Sequence, residues 1–112
     1  MEEGELLILF AGLSTTILVL VVGVVMAYKT PEMNGGFGYR TKQAMASEAK
    51  WDFAQKYSGK GLILGMVSLL LVRGIVFLTG NWDTMIEIYL NLAVALVCVP
   101  VLVLTESKLK KM

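Results

Sequence analysis

Three long apolar runs dominate the chain, Leu6–Tyr28, Gly61–Leu78 and Met85–Leu104. A helix needs about 20 apolar residues, rising roughly 1.5 Å each, to cross a hydrocarbon core about 30 Å thick. Each run therefore reads as one membrane span. The first contains no charged side chain, and the other two carry one each, Arg73 and Glu87.

The stretch between the first two runs, residues 29–60, is charged and rich in glycine. Thr30-Pro31 ends the first helix, because proline disfavours helical geometry in the residue before it. Asn34-Gly35-Gly36-Phe37-Gly38 reads as a turn that needs positive φ or close backbone approach. Lys42–Ser58 has helical periodicity, with Met45, Ala49, Phe53 and Tyr57 four apart on one stripe. That stripe suits a helix lying in the membrane interface or packing under the bundle. Trp51 falls on the opposite side, with Ser47, Glu48 and Gln55, and calls for a partner there. Gly59 and Gly61 mark the corner into the second span. The predicted architecture is all-α: one domain over residues 1–112, an integral membrane three-helix bundle. Its spans cover about 6–28, 61–78 and 85–104. A short amphipathic cytoplasmic helix lies in the loop between spans 1 and 2.

Charge gives the bundle a direction. Of ten Lys and Arg, six lie between the first two runs: Lys29, Arg40, Lys42, Lys50, Lys56 and Lys60. Three more, Lys108, Lys110 and Lys111, follow the third run. The N-terminal tail and the connection Thr79–Thr84 have none. Short loops on the cytoplasmic side collect Lys and Arg. The N-terminus is expected outside, the loop around Asn81-Trp82-Asp83 outside, and the C-terminus in the cytoplasm of a bacterial cell. The first run is not a secretory signal by this reading, since Glu2, Glu3 and Glu5 precede it where basic residues would stand.

Composition narrows the chemistry. The 112 residues are 56% hydrophobic and 17% charged, with a net charge of +1, so no general affinity for nucleic acid is indicated. There is no histidine, and the single cysteine, Cys98, falls mid-span. That excludes a histidine triad, a histidine metal site and an intrachain disulfide. No metal or cofactor is expected. Ser47-x-x-Lys50 has the spacing of a serine–lysine nucleophile pair, but no oxyanion element accompanies it. No catalytic residue is assigned, and enzymatic activity is the less favoured expectation.

Two polar groups of residues stand out. Arg73 lies five residues before Leu78, about 8 Å inside the end of its span. A charge at that depth costs a few kcal/mol by insertion scales and is usually paired or functional. Glu87 and Asn91 of the third span are four apart and share a face. Arg73, Glu87 and Asn91 are expected to form one cluster, with Ser14, Thr15 and Thr16 at similar depth. The cluster fits a structural ion pair, a ligand site, or an arginine reaching up to the headgroups. Gly61-x-x-x-Gly65 allows close helix contact, and Pro100 is expected to bend the third span.

The second group is the loop motif Gly38-Tyr39-Arg40-Thr41, then Trp51, then Gly59-Lys60. Arg40 offers a planar fork of donors to an anion or carbonyls, or it pins the loop by pairing with Glu48, Asp52 or helix-end carbonyls. Trp51 suits stacking on Arg40 or anchoring at the interface. The stretch Asn34–Lys60 resembles the signature of the SdpI family of bacterial membrane proteins: Gly-x-Arg-Thr after the first span, a tryptophan helix, and Gly-Lys before the next. The resemblance implies a membrane immunity protein, one that protects the cell from a secreted killing peptide and signals to a cytoplasmic regulator. Its implied partners are a peptide toxin and a cytoplasmic transcriptional repressor; membrane lipid is expected from the spans and their basic flanks, and a homo-oligomer because three short spans bury little surface between themselves. The signature residues carried over are Gly38, Tyr39, Arg40, Thr41, Trp51, Gly59 and Lys60. Without the resemblance, two other classes stay open: a membrane enzyme acting on lipid headgroups, and a small regulatory or structural subunit of a larger membrane complex.

Overall fold

A computed structural model describes residues 2–112. Three helices carry the fold: α1 (Glu3–Tyr28), α2 (Glu48–Leu78) and α3 (Thr84–Lys110). All three are long and apolar enough to cross a membrane. Only 17%, 11% and 17% of their most apolar windows are buried inside the molecule, so most of that apolar surface faces outward. Such a surface is stable in lipid and not in water. The fold is an all-helical, multi-pass membrane bundle.

The helix ends follow local chemistry. Ser47 and Asp83 cap α2 and α3, accepting hydrogen bonds from the amides of Lys50 and Ile86. The Ser47–Lys50 spacing is thus taken up by a helix cap. At the end of α2, Gly80 adopts a left-handed φ of 75°, its amide bonds to Phe77 O and the Asn81 amide bonds to Val76 O. This paired closure of the last turn needs a residue free of Cβ strain at the left-handed position. It turns the chain within a few residues into α3. We refer to this end of the bundle as the hairpin end and to the other as the loop end.

The separate amphipathic helix expected in the loop is absent among the described residues. A single turn of 3-10 helix at Ala44–Ala46 precedes α2, and α2 then runs unbroken through Gly59 and Gly61. At ~1.5 Å per residue its 31 residues span about 46 Å, well beyond a hydrocarbon core about 30 Å thick. The charged stretch is therefore the protruding start of the second helix. Its buried face is the one that carries Trp51, with Ala54, Gln55, Ser58 and Gly59. Met45 and Ala49 are exposed, and Phe53 and Tyr57 are half-buried and stack on each other.

Small residues set the helix spacing. A Cβ on Gly59 would lie 2.6 Å from Gly23 O and 2.8 Å from the Ala27 nitrogen, so α1 and α2 meet nearly backbone to backbone. Gly61 and Gly65 pack against Val101 and Val97 of α3. Met66, Leu69, Leu90 and Val94 form the apolar centre, and Ala44, Ala54 and Leu109 a smaller one at the loop end. α3 continues as helix through Pro100.

Candidate functional site

Near the hairpin end, Arg73 and Glu87 are 3% and 1% exposed and form a two-pronged ion pair. Arg73 Nε donates to Glu87 Oε1 at 3.0 Å, and Nη2 donates to Oε2 at 2.9 Å. The matched fork gives both charge neutralisation and a fixed orientation. Nη1 donates to Thr16 Oγ1 at 3.2 Å, and that hydroxyl donates to Gly12 O at 2.9 Å. Trp82 Nε1 donates to Glu87 Oε1 at 3.1 Å from the hairpin. Each of the three helices thus contributes to one polar knot surrounded by apolar packing.

Arg73 and Glu87 come together as expected, but Asn91 does not join them. The buried line of α3 runs through Glu87, Leu90 and Val94, and Asn91, one position beyond Leu90, is turned out and exposed. Thr16 takes its place, while Ser14 and Thr15 are exposed. Three of the five guanidinium N–H groups are used by Glu87 and Thr16. Arg73 also lines a groove between α1 and α2 with Leu9, Leu13, Leu70, Gly74 and Phe77, about 210 Å³ in volume. A Cβ on Gly74 would meet nothing within 4 Å, so this wall is open.

The loop motif folds onto the start of α2. Arg40 Nη1 donates to Met33 O at 2.9 Å, and its guanidinium carbon sits 5.5 Å from the Trp51 ring centre. Trp51, 2% exposed, donates from Nε1 to Pro31 O at 2.8 Å. The carbonyl and cation–π roles are both realised, and neither Glu48 nor Asp52 pairs with Arg40 among the described residues. Thr41 Oγ1 accepts from the Ala44 amide at 3.2 Å and starts the turn Ala44–Ala46. Gly59 provides the close approach to α1, and Lys60 is exposed.

Gln55, fully buried, is the central connection. Its amide accepts from Tyr39 N at 2.8 Å and donates to Tyr39 O at 2.7 Å, completing both backbone groups of that residue. Gly38 has φ 115°, and a Cβ there would lie 2.5 Å from Gln55 Oε1. Tyr39 O–H donates to Glu106 Oε1 at 2.8 Å, reaching the end of α3. Burial, with the Glu106 hydrogen bond and charge behind it, pushes the Tyr39 phenol above its usual value. Sequence reasoning had not singled out Gln55, Glu106 or Gly12 as site residues. The spacing Trp51–Gln55, one turn apart on a face beside a buried tryptophan, was the available signal for the first.

Comparison with known proteins agrees with the loop motif. No solved structure matches the chain. The chain is 31% identical over 96 residues to "Uncharacterized protein YfhL" of Bacillus subtilis (strain 168), covering 85% of this chain and 82% of that protein. The SdpI/YfhL protein family matches residues 29–105, a range that holds the loop motif, Arg73, Trp82 and Glu87, while Gly12 and Thr16 precede it. Motif, span layout and extended similarity coincide, and the chain belongs to the SdpI/YfhL protein family.

Proposed function

We propose that this protein confers resistance to a membrane-active killing peptide, with the hairpin end facing outside and the loop and C-terminus in the cytoplasm. The observation that carries this reading is Arg73, whose guanidinium is fixed by Glu87 and Thr16 and which is one of the residues lining the groove between α1 and α2. In an apolar surrounding, a pre-oriented donor with spare N–H groups is an attractive partner for peptide carbonyls or a carboxylate. A peptide inserting from outside would meet the groove within the first turns of its path. Excess of Lys and Arg at the loop end supports the orientation. Because α2 is one continuous helix, displacement at Arg73 would be felt at Trp51 and Gln55 and passed to a cytoplasmic regulator.

The test is survival of a sensitive Gram-positive host carrying the chain and challenged with a killing peptide. Wild type is expected to protect. Arg73→Ala and Gly74→Leu, at equal membrane levels, are expected to lose protection, the second by filling the groove at a position with open space around it. Sensitivity equal to that of the empty host across the family's killing peptides would overturn the reading.

A further inference from the structure

At the loop end, a groove of about 340 Å³ runs along the seam of α2 and α3, lined by Tyr57, Lys60, Gly61, Leu64, Val101 and Leu104. Its floor is apolar and its mouth is cationic. Lys60 stands at the mouth, and the Lys108 ammonium lies 5.8 Å from the Tyr57 ring centre on the α3 side. Neither lysine is in an ion pair among the described residues, whereas Lys56 one turn earlier is neutralised by Asp52 at 3.1 Å. The nearby Glu106 carboxylate is engaged by the Tyr39 hydroxyl.

We propose that this seam binds one anionic phospholipid, its phosphate between Lys60 and Lys108 and one acyl chain lying along Gly61, Leu64, Val101 and Leu104. The argument is charge and shape together. A groove with an apolar floor and two unneutralised ammonium groups at one end complements an amphiphile with a single anionic head. Tyr57 supplies an amphipathic ring at the level where aromatic and lysine side chains meet headgroups. Leu64 lies one turn deeper than Lys60, so chain and head are engaged on one helix face. A second copy docking here would bring its own lysines against these, which disfavours that occupant. The site is independent of the Arg73 groove and of the resistance reading.

Native mass spectrometry of the chain released from nanodiscs with equal dioleoyl-phosphatidylglycerol and dioleoyl-phosphatidylcholine tests the proposal. One retained phosphatidylglycerol is expected, at about thirtyfold preference, since each of the two lysines near a lipid surface contributes on the order of 1 kcal/mol. Lys60→Gln with Lys108→Gln should bring the preference to about one. Leu64→Trp, a change at an exposed position, should reduce retention without altering charge. Lys110→Gln with Lys111→Gln removes the same charge outside the groove and should leave the preference intact. Equal retention of the two lipids by wild type, or equal loss in both double variants, would overturn the site.

Discussion

The carboxylate of Glu87 fills the space beside Gly12: a Cβ at position 12 would collide with Glu87 Oε2. That carboxylate is held by Arg73 and Trp82, so it does not swing aside as a free side-chain end would. Gly12→Ala is therefore expected to destabilise the bundle by about 1–3 kcal/mol, the cost of overpacking a closed site. Gly74→Ala, on the open wall, should be neutral or slightly stabilising because alanine is the better helix former. Thermal or SDS-driven unfolding in micelles, followed by circular dichroism, measures both. Equal effects of the two substitutions would show that Glu87 is not confined by α1.

Removing one partner of the Arg73–Glu87 pair leaves a charge among apolar side chains, which costs about 3–5 kcal/mol. Arg73→Met and Glu87→Leu are each expected to fall in that range. Together they should recover much of the loss, because two apolar side chains of similar volume need no ionic partner. A double-mutant cycle reads the coupling directly. Additive losses would mean that the two groups stabilise the bundle separately.

The sequence patterns that located the spans and the ion pair left the inner face of early α2 open. Hydropathy is decisive for spans because unpaired backbone in lipid leaves helices as the available solution. Arg73 and Glu87 were legible as lone charges in apolar runs, which must find each other. Asn91 failed because spacing by four specifies a shared face but not which side of it meets α2. The wheel puts Phe53 and Tyr57 on one stripe, which suits the membrane interface or packing under the bundle alike. At a membrane surface aromatic rings lose nothing by facing outward. The inner face was decided instead by what the loop backbone needs, namely the Gln55 amide for Tyr39 and the Trp51 indole for Pro31. Those partners lie 16 and 20 residues away, so no local pattern announces them.

Gln55→Leu follows from that dependence. It conserves size approximately and removes both bonds to the Tyr39 backbone, so a cost of about 1–3 kcal/mol is expected from groups left without partners. The loss should appear locally, as faster protease cleavage in residues 29–47 with α1 and α3 unaffected. Ala49→Ser, on the exposed side of early α2, should leave the cleavage rate close to wild type. Equal cleavage in wild type and Gln55→Leu would remove Gln55 as the element that orders the loop.

Tyr39 links this loop to the end of α3 through Glu106, and the link carries a pH dependence of defined sign. Burial and the neighbouring carboxylate raise the phenol in the folded protein above its usual value of about 10. The folded state therefore keeps the proton after the unfolded chain has lost it. The resulting stabilisation is full below pH about 10 and declines as pH rises above it. Tyr39→Phe lacks both the hydrogen bond and the proton. It should be less stable than wild type by about 1 kcal/mol at neutral pH, with the gap closing as pH climbs past about 10. Unfolding midpoints measured for both proteins from neutral to strongly alkaline pH give the difference free of the lysines common to them. A gap that stays constant through that range would mean the Tyr39 proton is not held by the Glu106 contact.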